Sequence, residues 1–349
     1  MTGDVSMPRK LTTEELAKLS IEERKKIVYQ LHVKFPRLNN IAKEVESCRR
    51  QVRLGGDAEG LLITGDRGAG KTTFCKRYLR EFPRRINEDG VPIVPVLCAS
   101  VPVPATPKSL ATELLQVLGD PAAEKGTLIS QTNRLKRALN MRLVELIMLD
   151  EFQHFQDRDS SKVLKTISDW LKLLMDHTGI PIVLVGMPYS TSILDAPGNE
   201  QLQRRFATRL TLAPFGYETP AEQKEFQRFL KEIDDALPLT RSSDLGTPEM
   251  AFRTYFATDG VIGYVMKLIR HATAMALDLS RPQLNPELLH LTYEKRLSGN
   301  HPERENPFLG DLGNLNPQRA RRSPSPPLQR ATNNRSKASP RVVRASDVL

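Results

Sequence analysis

Residues 60–73 read GLLITGDRGAGKTT, an apolar run passing directly into Gly65-x-x-x-x-Gly70-Lys71-Thr72. Glycines at this spacing let consecutive backbone N–H groups converge on an anion. A helix that begins at the loop turns its positive dipole end toward the same point. Gly65, Asp66, Arg67, Gly68, Ala69 and Gly70 would then form a phosphate cradle, with Lys71, Thr72 and Thr73 opening the helix. Lys71 can reach the β- and γ-phosphates of a nucleoside triphosphate, expected to be ATP, and the Thr72 hydroxyl can ligate Mg²⁺. The context makes the pattern specific: a strand-like run at 61–64 precedes it and a helical one at 73–79 follows.

The second half of such a site lies at 143–151, LVELIMLDE, an apolar run ending in two acids. At the C-terminal edge of a strand beside the loop, Asp150 would complete the Mg²⁺ shell with Thr72. Glu151 would orient and activate an attacking water. An apolar run ending in Asp-Glu is common alone, but here it follows a P-loop with one strand between. His154, three residues on, could read the γ-phosphate, contact a partner, or simply be a satisfied hydrogen-bonding residue. Trp170 falls on a helical stripe with Ile167, Leu171 and Leu174 and is expected in the core.

These residues need a scaffold, and the periodicity supplies one. Strands are predicted at 60–64, 93–99, 144–149, 180–185 and 209–212. Helices are predicted between them at 71–82, 107–118, 131–141, 162–178 and 202–205. Such alternation implies an α/β domain with a parallel sheet and helices on both faces. Two helices, 21–32 and 38–53, precede it, the second closed by Gly55-Gly56. After Pro214 the pattern is helical throughout: 220–237, 247–258, 263–279 and 286–296. The expected organisation is a flexible N-terminus (1–20), N-terminal helices (21–56), an α/β nucleotide-binding domain (57–214), a small all-helical lid (215–297) and an extended, basic, disordered tail (298–349).

Hydrophobic residues make up 39% of 349, enough for a sizeable core. The absence of an 18-residue apolar run argues against a membrane span, and the N-terminus has no apolar signal segment. Cys48, Cys75 and Cys98 form no CxxC pair, and their odd count gives no disulfide framework, as expected of a cytoplasmic, reduced protein. The net charge is +10, but from 318 to 349 eight basic residues face one acid, Asp347. The body is therefore only mildly basic. The tail is either a nucleic-acid or partner-binding arm or a solvated extension.

Taken together, GDRGAGKT, PATPKSLATELLQVLGDP at 104–121, LDEFQHF at 149–155, GMP at 186–188 and QLQRRF at 201–206 resemble the TniB/TnsC family of AAA+ transposition regulators. MuB and the IstB-type helper ATPases are more distant likenesses. The resemblance spans about 21–308 and implies a bacterial ATPase that forms rings or filaments on duplex DNA. It also implies that the assembly marks a target site, and that a DDE-type transposase stimulates hydrolysis and disassembly. Some members engage a TniQ-type adaptor. The resemblance places DNA-backbone contacts at Lys108, Lys125 and Thr127, with Arg134 and Arg137 as weaker candidates. It places a trans-acting arginine finger at Arg205, with Arg204 next and Arg209 third.

Two departures stand out against AAA+ proteins. The strand at 180–185 ends in Gly-Met-Pro, so the nearest polar sensors are Tyr189, Ser190 and Thr191. The lid stretch 259–264 carries no arginine, and Lys267 and Arg270 lie one and two turns later. Both departures suit slow turnover, as in a switch. Two other readings share the nucleotide site. One is a helicase-loader or replication-initiator ATPase, which a winged helix or helicase-binding extension would mark. The other is a nucleotide-switched scaffold that does not bind DNA.

Overall fold

The computed structural model describes residues 10–31, 33, 35–53, 58–155, 161–197, 199–300 and 304–310. Five parallel strands form one sheet: β1 (Leu61–Gly65), β4 (Val96–Ser100), β5 (Leu146–Asp150), β6 (Ile182–Gly186) and β7 (Thr208–Leu212). Their order is β4-β5-β6-β1-β7, with a separate two-stranded hairpin, β2 (Arg85–Ile86) and β3 (Pro92–Ile93). Leu149 is level with Leu184, and Thr64 with Gly186, so β5, β6 and β1 finish at one edge. Carboxyl ends of parallel strands are where open α/β sheets hold ligands.

The central strands β1, β5 and β6 are apolar on both faces because both are covered. Leu61, Ile63, Met148 and Val185 pack toward α3 (Pro36–Arg53), α4 (Lys71–Glu81) and the C-terminal helices. Leu62, Ile147, Leu149 and Leu184 face the other way, toward α5 (Pro107–Val117), α6 (Leu128–Met141) and α7 (Ser161–Thr178). Trp170 is buried there, its indole N–H donating to Thr132 Oγ1 at 3.1 Å. The strand expected at 93–99 divides: Ile93 pairs with Arg85, and β4 starts at Val96. Pro95 between them has no N–H for a ladder, and its carbonyl instead accepts from Glu145 and Leu146.

At the N-terminus, α1 (Thr13–Ala17) is closed by a capping box from Thr12, and α2 (Ile21–Gln30) by one from Ser20. The α3 helix is fixed to the body by Glu46, which accepts from Tyr78 of α4 at 3.0 Å, and by Arg49, which pairs with Glu145 and lies over the Phe82 ring. Two short helices, α8 (Thr191–Leu194) and α9 (Glu200–Arg205), follow β6. The lid consists of α10 (Pro220–Ala236), α11 (Pro248–Thr258), α12 (Ile262–Asp278) and α13 (Pro286–Arg296). Residues 304–310, read from sequence as extended tail, pack against it. Phe308 is buried beside Tyr293, and Arg304 donates to Asp259 at 2.9 Å. The basic segment 318–349 lies outside the described residues.

Candidate nucleotide site

The loop between β1 and α4 curls because Gly70, the residue capping α4, sits at φ 97, a region that side-chain-bearing residues avoid. Lys71 is buried, and its ammonium donates to the carbonyls of Gly65 (2.6 Å) and Asp66 (3.0 Å) and toward Met187 Sδ (3.6 Å). Burial pulls the Lys71 pKa down, while Asp150, Glu151 and Asp66 push it back up. A cation held this way gains from a polyanion that completes its coordination.

Thr72 Oγ1 donates to Asp150 Oδ2 at 2.7 Å, so the P-loop and the acid at the end of β5 meet. Glu151 turns out of the strand at φ 60, a left-handed conformation unusual for a glutamate and of the kind found at functional sites. Its N–H is taken by Asp150 Oδ1 at 2.9 Å. Its carboxylate accepts from Gln153, whose amide oxygen in turn accepts from Met187 N–H at 3.1 Å.

Lys71, Thr72, Glu151, Gln153 and Met187 line one end of a cavity of about 570 Å³. The other end is apolar: Leu31, Val33, Phe35 and Leu38 come from the N-terminal segment, and Phe229, Ile262 and Met266 from the lid. The lid touches the loop itself, Gly263 N–H donating to Gly68 O at 2.8 Å. A Cβ at residue 263 would stand 2.8 Å from that same oxygen, so no side chain fits at that position without a shift. Arg270 lines the cavity and donates to Leu31 O at 2.8 Å, whereas Lys267 is directed to Arg296 O. A cavity lined by both cationic and apolar groups suits a nucleotide. The apolar wall was not visible as a motif because its residues come from three stretches far apart in the chain.

The remaining candidates are distributed as follows. Arg205 donates to Ala58 O at 3.0 Å and pairs with Asp176, and Arg209 is held by Asp195. Arg204 is exposed and, among the described residues, makes no ion pair. Of the three polar residues after β6, Tyr189 reaches the cavity wall; Ser190 is buried and Thr191 donates back to Pro188 O. His154 lines the cavity and bonds Val101 O at 3.0 Å. Lys108 is exposed in the first turn of α5, and Lys125 and Thr127 are exposed at the start of α6. One turn inside each helix, Gln131 donates to Thr112 Oγ1 at 2.8 Å, which sets the two helix starts side by side. The Thr127 hydroxyl caps α6 by accepting from Ser130 N–H. Arg134, partly exposed, holds the 120–125 loop through Asp120, Ala122 O and Lys125 O. Arg137 is exposed.

A parallel sheet in this strand order, with a P-loop after β1, paired acids after β5 and a helical C-terminal region, defines the AAA+ class of P-loop ATPase folds. The family profile described as "Bacterial TniB protein" matches residues 25–215, more than half of the chain, which therefore belongs to the TniB family. No curated protein matches it. Similar solved structures include the Aeropyrum pernix ORC1 protein in complex with DNA (16% identity over 78% of this chain and 69% of that one, TM-score 0.57). Cdc6p from Pyrobaculum aerophilum is another (14% identity, 78% and 71% covered, TM-score 0.58). At such identities the likeness is one of fold. No described helix is long and apolar enough to cross a membrane.

Proposed function

We propose that this chain is an ATP-dependent regulator of transposition. It assembles with further copies of itself on duplex DNA, marks a target site and recruits a DDE-type transposase, and ATP hydrolysis takes the assembly apart. The observation that carries the nucleotide part is that Lys71, Thr72 and Glu151 line one cavity with apolar groups, and that Asp150 is bonded to Thr72 behind its wall. Lys71 and the loop amides bind the phosphates, and the apolar end takes the base. Thr72 and Asp150 offer hard oxygen donors of the kind Mg²⁺ prefers; bound there, the ion would neutralise phosphate charge. Glu151 orients a water and accepts its proton as the water oxygen attacks the γ-phosphorus, and ADP leaves. Arg205 and the exposed Arg204 beside it in α9 are the guanidiniums proposed to act on a neighbouring copy's nucleotide.

Membership of the TniB family supports the transposition part of this reading, with a TniQ-type adaptor as a further proposed partner. Lys108, Lys125 and Thr127 are the proposed contacts to DNA phosphates. The test is imaging and gel shift on duplex DNA of random sequence with ATP, ADP or neither, for wild type, Lys71→Ala and Glu151→Gln. Wild type should assemble only with ATP, Lys71→Ala should neither bind nucleotide nor assemble, and Glu151→Gln assemblies should persist. ATP-dependent rings or filaments from Lys71→Ala, or no DNA binding by wild type in any nucleotide state, overturns the reading.

A further inference from the structure

We infer that Gln153 is the positioning residue for the Glu151 carboxylate, supplying from the turn after β5 the polar group that the end of β6 lacks. This rests on the hydrolysis reading above and deepens it. β6 runs into Gly186-Met187-Pro188, which presents no polar side chain. Beyond it, Ser190 is buried and absent from the cavity wall, and the Thr191 hydroxyl is turned back on Pro188 O. Gln153 is only 7% exposed, yet it lines the cavity beside Lys71, Glu151 and Met187.

Both ends of its amide are engaged. Oε1 accepts from Met187 N–H at 3.1 Å, and Nε2 donates to Glu151 Oε2. A backbone donor on one side and a carboxylate on the other allow only one orientation of the amide, so its direction follows from its partners. Room for it comes from Gly186, where a Cβ would lie 3.1 Å from Gln153 Oε1 and 2.6 Å from Ser190 Oγ.

A glutamate acting as a base must keep one oxygen within hydrogen-bond reach of the water it activates. Glu151 begins from a left-handed backbone and a side chain with three free torsions. Asp150 fixes its N–H and Gln153 fixes its carboxylate, so the rotamer is set before a substrate arrives. Because Gln153 also binds Met187, and Lys71 lies against Met187 Sδ, the base is anchored to the same strand end as the phosphate-binding lysine.

The experiment compares wild type, Gln153→Ala, Gln153→Glu and Glu151→Gln in the full chain. It measures MgATP affinity with a fluorescent analogue, and kcat and KM by phosphate release with duplex DNA present. The glutamate at 153 keeps an acceptor for Met187 N–H but sets an oxygen against the Glu151 carboxylate. It therefore retains the packing and loses the positioning, and it serves if the alanine variant folds poorly. Both Gln153 variants should lower kcat by roughly tenfold or more, with affinity and KM within about twofold of wild type. Wild-type kcat in Gln153→Glu, or affinity falling in step with kcat in both variants, makes Gln153 a packing residue and overturns the proposal. Wild-type turnover in Glu151→Gln, or no turnover in wild type, removes the hydrolysis reading itself. An inactive Glu151→Gln beside fully active Gln153 variants removes only the role of Gln153.

Discussion

The Thr72 hydroxyl donates to the Asp150 carboxylate at 2.7 Å, joining the start of α4 to the end of β5 across the end of β6. Asp150 is 4% exposed, so the bond serves the fold as well as any metal. Losing one donor to a buried acceptor costs about 1–3 kcal/mol.

Thr72→Ala should therefore lower the melting temperature and, separately, weaken MgATP binding by roughly ten- to a hundredfold, the usual penalty for disturbing a metal's surroundings. Nucleotide titrations with and without Mg²⁺ separate the two effects. If the variant keeps the wild-type dependence on Mg²⁺, Thr72 is a structural partner of Asp150 and no metal ligand.

Gly263→Ala should disturb the site from the lid side. The added methyl would stand 2.8 Å from Gly68 O, and relieving it moves either the lid or the phosphate loop. Overpacking of this kind costs roughly 1–3 kcal/mol. Nucleotide affinity should fall in Gly263→Ala and stay level in Gly299→Ala, where nothing lies within 4 Å of the new methyl. Equal affinities in the two variants would mean that the loop does not depend on the lid contact.

Arg204 and Arg205 are neighbours with different surroundings, and their variants should separate. Arg205→Ala breaks the pair with Asp176 and the bond to Ala58 O, both partly exposed, and should cost about 1 kcal/mol of stability. Arg204→Ala should leave the melting temperature unchanged and lose hydrolysis only in the assembly. Mixing it with Glu151→Gln subunits, which assemble and keep their own Arg204, should restore some turnover at shared interfaces. Loss of hydrolysis with an unaltered melting temperature in Arg205→Ala alone would assign the finger to Arg205.

How much of this was legible in the sequence depended on how local each feature is. The P-loop and the Asp150-Glu151 pair are written in contiguous residues with a strand attached, and the strands announce themselves by apolar runs. The sheet's register then follows from hydrogen bonding, and Thr72 and Asp150 meet as their two motifs imply. Features assembled from distant segments were not readable. Leu31, Phe35, Phe229 and Met266 look like ordinary core residues until the fold turns them toward one cavity. Gln153 was visible in the DEFQHF run, but its reach to Met187 N–H depends on β6 lying beside β5. Arg134, offered as a weaker DNA contact, is a related case: three groups of the 120–125 loop accept from its guanidinium, and no local pattern signals them.

Glu46 gives a pH dependence. Burial would raise its pKa, but hydrogen bonds from Arg49, Arg50 and Tyr78 outweigh this and hold it down at about 2, from an ordinary value of 4.5. The folded state thus favours the ionised form. Its stabilising contribution is fully present above pH 4.5 and is lost as pH falls from there through about 2. Glu46→Gln should flatten the fall of melting temperature across that window and lower stability at neutral pH. An unchanged acid slope would show that other carboxylates govern it.

The DNA proposal makes the sharpest distinction between body and tail. Lys108 and Thr127 stand at adjacent helix starts, one offering charge and the other a cap position where backbone N–H groups face outward. In an assembly the same pair recurs in every copy, so each lost lysine removes one phosphate contact per subunit. Each neutralised phosphate contributes about 0.9 to the slope of log affinity against log salt. Lys108→Ala should weaken binding to all duplex sequences alike and flatten that slope, with ATP affinity of the single chain unchanged. Arg134→Ala should act differently, loosening the 120–125 loop and lowering the melting temperature before it affects DNA. Deleting 318–349 should reduce affinity modestly and leave ATP-dependent assembly intact. A salt titration of the four proteins decides the matter. If the deletion abolishes binding while Lys108→Ala matches wild type at every salt concentration, the DNA contacts lie in the tail and not at the starts of α5 and α6.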